Sequence, residues 1–160
     1  MSERQKFNQE CIQEILSQGE DGHLLEMTKK WFKASFSNKY SYHFDFLGRP
    51  IIQYPQDMVA IQEIIWEIKP DLIIETGIAH GGSLILSASM LAYLDMIEAI
   101  ESGKTIDPKQ SKRKVLGIDI DIREHNKIEI EKHPMSSRIK MIQGSSIAPE
   151  VIDQVKNIAN

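Results

Sequence analysis

The sequence is poor in cysteine, in positive charge and in long apolar runs. Its single cysteine, Cys11, excludes an internal disulfide and offers no zinc-binding pair. Its 19 basic residues are outnumbered by 23 acidic ones, and the net charge of −4 argues against nucleic acid or an anionic membrane as a partner. No apolar run approaches the ~20 residues of a membrane span, and the charged N-terminus lacks a secretion signal. From these absences we expect a cytoplasmic protein.

The first third of the chain predicts helices followed by an aromatic hairpin. Apolar residues recur at helical spacing over residues 4–18 and again from Gly22 to Phe36. Aromatic residues then alternate with polar ones, as is typical of a strand, at Tyr40, Tyr42, Phe44 and Phe46. A turn at residues 48–50 precedes a second extended run. We group residues 1–54 as an N-terminal helical and hairpin segment.

The rest of the chain, residues 55–160, alternates between helical and strand patterns. Apolar strands are predicted at Leu72–Ile74, Val115–Ile120 and Arg138–Ile142, with a helix before the first strand and after each of the three. This order is typical of parallel strands joined by right-handed crossovers. With 41% hydrophobic residues, the chain is rich enough in apolar side chains to build a core. We therefore expect an α/β fold.

The first of these strands leads into a glycine-rich turn, in the segment DLIIETGIAHGGS at residues 71–83. Glycines permit positive φ angles and the close approach of a ligand. The N-terminus of the helix that follows offers free N–H groups and the positive end of its dipole. The pattern predicts a nucleotide-type site built from Glu75, Gly77, Ala79, His80, Gly81, Gly82 and Ser83.

Asp119 ends the second strand of the predicted sheet. In dinucleotide-binding and related folds, an acid at this place accepts hydrogen bonds from ribose hydroxyls. The separation from Gly77 exceeds the ~20 residues of the dinucleotide fingerprint, and Ala79 occupies its second glycine position. The pattern thus disfavours a nicotinamide cofactor and favours S-adenosylmethionine, with Ser145 in the loop near the adenine. The alternative is that these glycines and acids merely end strands in a generic α/β domain.

The histidines and Asp121 indicate less about function than the residues above. His80, inside the turn, either approaches a ligand or caps the helix. We expect His43, His125 and His133 at the surface. Asp119 and Asp121 share a strand face, but we expect no metal site from this pair alone.

Several strings together resemble the cephalosporin hydroxylase and rhamnosyl O-methyltransferase family, namely ETGIAHGGS, GIDIDIR, HPM, RI and QGSS, after GRPIIQYPQDMVAIQEIIWEIKPDLIIETG. The similarity extends from about Tyr40 onward. It implies a class I S-adenosylmethionine-dependent methyltransferase fold with three parallel strands in the order 3-2-1. It further implies that Glu75, Gly77 and the turn at residues 79–83 hold the methionine part, that Asp119 binds the ribose, and that Ser145 lies near the adenine.

The resemblance also implies segments that follow the QGSS string. Members of that family carry further strands there, with acidic residues that resemble a magnesium site. Because those segments do not occur here, we expect a C-terminally truncated chain without the magnesium ligands, the general base and half of the acceptor pocket. The strand at residues 72–74 should then present a bare apolar edge, which favours a homo-oligomer.

Three functional hypotheses follow. The first is an S-adenosylmethionine-dependent O-methyltransferase that acts on a sugar or natural-product hydroxyl. The second is a non-catalytic member or fragment that keeps part of the cofactor pocket. A nicotinamide-dependent oxidoreductase is the third and is disfavoured by the glycine spacing.

Overall fold

The computed structural model describes residues 1–159 of the protein. By compactness the chain divides into one unit at Met1–Tyr40 and a second that begins at Ser41. The aromatic hairpin, which the sequence pattern grouped with the N-terminal helices, therefore belongs to the second unit.

The first unit is a pair of helices, α1 (Glu3–Glu20) and α2 (Gly22–Ser37). Both match the predicted helices. Ser2 begins α1 with a capping box, and the Asp21 carboxylate accepts hydrogen bonds from two backbone N–H groups of the first turn of α2. Polar caps at both starts explain why the two helices begin where they do.

The aromatic segment forms a shorter hairpin than its alternation predicts. A 3₁₀ turn occupies Tyr40–Tyr42, and only Phe44–Phe46 forms a strand, β1. Its antiparallel partner β2 (Arg49–Ile51) is three residues long, and Ile51 pairs with Phe44. Because β2 ends at Ile51, it does not extend to Tyr40 and Tyr42. The prediction of a continuous strand was therefore wrong for its first half.

Three parallel strands form the central sheet of the second unit. They are β3 (Leu72–Thr76), β4 (Lys114–Asp119) and β5 (Ile139–Gln143), hydrogen-bonded in the order β3-β4-β5. The helices around them are α3 (Pro55–Ile68), α4 (Gly82–Ser102), α5 (Glu124–Lys132) and α6 (Pro149–Ala159). The predicted α/β fold and the strand order 3-2-1 are confirmed.

Helices cover both faces of this sheet. On one face, Val115 packs in a cluster with Leu91 of α4 and Ile130 of α5. On the other face, Leu116 and its neighbours pack against Val151 of α6. All five of these side chains are almost fully buried, so their burial is a large part of what holds the sheet between its helices.

Helix α4 is long and apolar enough, by length and composition, to cross a membrane. The expectation that no segment reaches that length was therefore wrong. Length and composition do not separate a membrane span from a core helix, however, and nine residues of α4 are buried within the domain.

In the sheet that residues 1–159 form, strand β3 is an edge strand. It pairs with β4 alone, and the side chain of Ile74 is 47% exposed. The apolar edge expected from the sequence is thus present. Self-association through it stays a prediction.

Candidate functional site

The predicted site residues meet at the carboxyl ends of β3 and β4. The turn that follows β3 begins with Gly77, whose N–H donates to the Ile118 carbonyl at 2.8 Å. One oxygen of Asp119, Oδ2, accepts from the Ile78 N–H at 2.7 Å, and the other, Oδ1, accepts from the Asp121 N–H at 3.1 Å. Asp119 therefore fixes the turn to the end of β4.

The Asp119 carboxylate is held in its ionised form. Burial acts to raise its pKa, but the backbone N–H groups of Asp121, Ile78, Ala79 and Ile120 outweigh burial and hold the pKa below its ordinary value. An ionised carboxylate only accepts hydrogen bonds, and each oxygen can accept more than one. Asp119 can therefore keep its backbone contacts and still accept from a ligand hydroxyl.

Of the three turn glycines, only Gly77 leaves room for a ligand. Gly77 has a φ of +89°, and a Cβ there would meet nothing within 4 Å. A Cβ on Gly81 would clash with the Ile130 side chain, and one on Gly82 would lie 2.7 Å from Ile51 Cβ. Gly81 and Gly82 are therefore required for packing against α5 and β2, which the ligand-approach argument from sequence did not anticipate.

Replacing Gly82 with alanine should destabilise the second unit. The added methyl group would push against the Pro50 carbonyl and Ile51, and overpacking of this kind costs about 1–3 kcal/mol of the free energy of unfolding. Gly19→Ala is the matched control, because a Cβ at Gly19 has no neighbour within 4 Å and a helix favours alanine. Equal urea midpoints for Gly82→Ala and the wild type would contradict the close approach.

Two side chains from outside the turn hold its carbonyl groups. Asn126 of α5 donates from Nδ2 to the Ala79 carbonyl at 2.9 Å. Arg49 of β2 donates to the His80 carbonyl from Nε at 3.0 Å and from NH2 at 2.7 Å. Ala79 has a φ of +46°, a conformation that costs energy for a residue with a Cβ. Arg49 and Asn126 therefore stabilise a strained turn.

Sequence reasoning missed both of these residues. Arg49 lies in a turn string and Asn126 in a highly charged helix, and neither place carries a pattern that indicates a site. The two side chains are 77 residues apart in sequence, yet Arg49 NH2 donates to Asn126 Oδ1 at 3.2 Å. Only the tertiary structure brings them together.

His80 does not cap the helix. The N-cap of α4 is Gly81, and no side chain makes a capping hydrogen bond there. The capping alternative was therefore wrong, and the approach of His80 to a ligand stays a prediction. His133, expected at the surface, is half-buried and its ring bonds the Met135 N–H and the Leu47 carbonyl.

Two cavities flank the turn. The glutamate cavity, about 380 Å³, is lined by most of the turn, by Glu75 and by Ser83. The aspartate cavity, about 390 Å³, is lined by Asp119 and Asp121 among others. Both are lined by Ile52, Ala79 and His80. The predicted site residues thus surround one bipartite site, except Ser145, which lines neither cavity.

Glu75 lines the glutamate cavity, and the cost of burying its charged carboxylate is only partly offset by its hydrogen bond. Burial raises its pKa above the ordinary value, and the hydrogen bond that it accepts from Ser83 Oγ offsets this only in part. A cationic or hydrogen-bond-donating ligand group beside Glu75 would supply the missing compensation. The cavity therefore suits a ligand group that is cationic or that donates a hydrogen bond.

Replacing Glu75 with glutamine should change how stability depends on pH. Because the folded protein holds the Glu75 proton more tightly than the unfolded chain, stability is fully present below the unfolded pKa and is lost as pH rises through the folded pKa. Glu75→Gln removes this loss, so we expect the variant to melt at or above the wild-type temperature at neutral pH. Glu124→Gln, at an exposed position, is the control. A lower melting temperature for Glu75→Gln alone at neutral pH would contradict the burial cost.

Among residues 1–159, no group of three or more histidine, cysteine, aspartate or glutamate side chains is arranged to hold a metal ion.

Comparisons with known proteins give one family. The family model for Rhamnosyl O-methyltransferase/CmcI matches residues 38–160. The Rhamnosyl O-methyltransferase of Mycobacterium leprae (strain TN) is 24% identical over 157 residues, which are 98% of this chain and 57% of that protein. The chain therefore spans little more than half the length of this curated relative.

Two solved structures are similar to smaller parts of this chain than the curated relative is. One, described as "cmcI-N160 SAH", is 22% identical with a TM-score of 0.36, over 64% of this chain and 43% of its own. The other, described as "CmcI-N160 apo-structure", is 19% identical with a TM-score of 0.43, over 72% of this chain and 41% of its own.

Proposed function

The chain belongs to the rhamnosyl O-methyltransferase/CmcI family, and from this membership and the site we propose that it binds S-adenosylmethionine. We further propose that the methyl group passes to a hydroxyl group of a sugar or natural product. The observation that carries the proposal is the pair of acids, Glu75 and Asp119, at adjacent strand ends on either side of the open Gly77 turn.

The chemistry of the two cavities supports this ligand. S-adenosylmethionine carries an ammonium group at one end and a ribose diol in its middle. The half-buried Glu75 carboxylate suits the ammonium group, and the ionised Asp119 carboxylate suits the diol. Each cavity lies within the ~300–1,000 Å³ range of small-molecule sites. Because Ile52, Ala79 and His80 line both cavities, the two cavities are neighbours, as binding of one extended ligand to both would require.

The adenine would lie beyond the aspartate cavity. The Gly144 N–H donates to the Asp119 carbonyl at 2.8 Å, so the loop after β5 is fixed next to the proposed ribose site. Ser145 follows directly in that loop. This continuity supports the proposed place of Ser145 near the adenine.

The protein's own contribution would be chiefly positioning. The bound donor supplies an electrophilic methyl group. Arg49 and Asn126 hold the turn that carries the donor, and the hairpin residues Ile52 and Gln53 line the glutamate cavity from the other side. Fixing two reactants in line can supply much of the acceleration of a two-substrate reaction.

Calorimetric titration with S-adenosylhomocysteine tests the binding step. We expect saturable heat for the wild-type chain. Gly77→Ala should weaken binding at least tenfold, because the new methyl group would enter the space left for the ligand. No heat at near-millimolar ligand would overturn the proposal.

Gly103→Ala is the matched control for this titration. Gly77 and Gly103 have φ angles of +89° and +64°, and neither would place a Cβ within 4 Å of another atom. Both variants should therefore lose a similar ~1–2 kcal/mol of stability through backbone strain, while only Gly77→Ala loses affinity. Equal losses of affinity would indicate that Gly77 does not face the ligand.

The transfer step needs a separate measurement. Radiolabelled S-adenosylmethionine and methyl α-L-rhamnoside, with a no-acceptor control, would show whether a sugar hydroxyl is methylated. Binding without transfer to any of a panel of sugars and phenols would favour the alternative of a cofactor-binding member without catalysis.

A further inference from the structure

The orientation of the Asn126 side chain is fixed by its partners. An arginine guanidinium only donates hydrogen bonds, so the Asn126 atom that lies 3.2 Å from Arg49 NH2 is the oxygen. The other side-chain atom lies 2.9 Å from the Ala79 carbonyl oxygen, which only accepts, so it is the nitrogen. Both contacts lead to the same assignment, and Asn126 is 4% exposed.

This orientation decides which tautomer of His80 can donate to Asn126. The ring nitrogen Nδ1 of His80 lies 3.4 Å from Asn126 Oδ1. Because an amide oxygen only accepts, this contact is a hydrogen bond in the tautomer whose Nδ1 carries the hydrogen. The other nitrogen, Nε2, then keeps its lone pair, and no residue within the described range 1–159 forms a hydrogen bond to it.

The free nitrogen belongs to a residue that lies where the two cavities meet. His80 lines both the glutamate cavity and the aspartate cavity. Its backbone carbonyl accepts two hydrogen bonds from Arg49, which hold the residue in place. A neutral imidazole with one unpaired nitrogen beside a ligand cavity is suited to accept a proton.

We propose that His80 Nε2 is the general base that accepts the proton of the acceptor hydroxyl, a role that rests on the proposed methyl transfer. The hydroxyl oxygen forms a bond to the methyl carbon, the bond from that carbon to sulfur breaks, and its electron pair stays on sulfur. The hydroxyl proton moves to Nε2, so the ring ends as imidazolium. Asn126 and Arg49 are positioning residues that set the tautomer.

His133 supplies an internal control for the tautomer. The Met135 N–H donates to its Nδ1 at 3.1 Å, so that nitrogen carries the lone pair. Its Nε2 lies 3.0 Å from the Leu47 carbonyl and must donate. The structure thus assigns opposite tautomers to His80 and His133 in one molecule.

The test is a two-bond ¹H–¹⁵N spectrum of the whole chain labelled with ¹⁵N-histidine, at about pH 8, where ordinary imidazoles are neutral. His80→Gln and His133→Gln spectra assign the two residues. We expect the Nδ1–H pattern for His80 and the Nε2–H pattern for His133. An Nε2–H pattern for His80 would overturn the proposal, because no free Nε2 would remain.

Addition of S-adenosylhomocysteine separates this proposal from the proposed function. We expect the His80 ¹⁵N shifts to move on binding and those of His133 to stay. Heat in the calorimeter without any shift at His80 overturns the base role and leaves the binding function intact. Absence of both heat and shift overturns the proposed function and the base role with it.

Kinetics completes the test with the rhamnoside assay. His80→Ala should lower kcat by about 10²- to 10⁴-fold, and added imidazole should restore part of the rate. His125→Ala, at an exposed position of α5, should behave as the wild type. An unchanged kcat for His80→Ala, or a wild-type chain that binds without transfer, would overturn the base role.

Discussion

Replacing Asp95 with alanine is expected to lower the free energy of unfolding by about 3–5 kcal/mol. Asp95, on α4, accepts from Arg113 NH1 at 2.5 Å and from Arg138 NH1 at 2.5 Å. Arg138 is only 2% exposed. Without Asp95 its guanidinium would be a buried charge without a counter-charge, which is the costly case for a buried ion pair.

Glu98→Ala is the control for this prediction. The Glu98 carboxylate also bonds Arg113, but its side chain is 54% exposed. An exposed carboxylate contributes little to stability because water screens it, and Arg113 keeps Asp95 as a partner, so the variant should unfold near the wild-type urea concentration. Similar midpoints for Asp95→Ala and Glu98→Ala would show that burial does not decide the strength of this network.

The same network predicts a pH dependence. Burial acts to raise the pKa of Asp95, but the hydrogen bonds from Ser111, Arg113 and Arg138 outweigh it, and the pKa lies below its ordinary value. For such a group the stability is present above the unfolded pKa and is lost as pH falls through the folded pKa. The Asp95→Ala variant should therefore lose less stability than the wild type on acidification below about pH 4.

Arg113 and Arg138 lie at the amino ends of the strands, whereas the candidate site lies at their carboxyl ends. Arg113 directly precedes β4, and Arg138 directly precedes β5, so Asp95 ties α4 to the amino ends of both strands. The glycine turn holds the N-terminus of the same helix at the carboxyl ends. We therefore expect Asp95→Ala to change stability without changing the affinity of the remaining folded protein for S-adenosylhomocysteine.

Replacing Asp119 with asparagine is expected to weaken S-adenosylhomocysteine binding by about 10- to 100-fold, since a hydrogen bond to a charged group contributes about 1.5–3 kcal/mol. The two Asp119 oxygens accept from the N–H groups of Ile78 and Asp121. An asparagine has one side-chain oxygen, so one of these N–H groups would face an NH₂ group. The turn would lose a contact and the proposed ribose site would lose its charge.

Asp121→Asn is the matched control, because Asp121 lines the same cavity but is exposed and forms no side-chain hydrogen bond to the turn. We expect its affinity to stay within a few-fold of the wild type. Calorimetry gives the affinities, and thermal melting separates a loss of binding from a loss of folding. Equal affinities for Asp119→Asn and the wild type would remove Asp119 from the proposed ribose site.

The order of elements from Pro55 onward could be predicted from the sequence because its signals are local. Apolar periodicity separates helices from strands within a few residues, and Gly103 ends α4 with a φ of +64°. The hairpin was predicted less well, since a strand depends on its partner as well as on its own alternation. Its partner β2 ends at Ile51, opposite Phe44.

By itself, the sequence determined that an acid lies at or next to the end of each of two neighbouring strands and that a glycine follows the first. Glu75, Gly77 and Asp119 are read from the chain because each acts at its own strand end. The tertiary structure alone decided that Gly81 and Gly82 serve packing, that Asp95 pairs with two arginines, and that Asn126 lies beside His80. Most of those contacts join residues tens of positions apart, and a local sequence pattern does not predict which distant side chain a residue will contact.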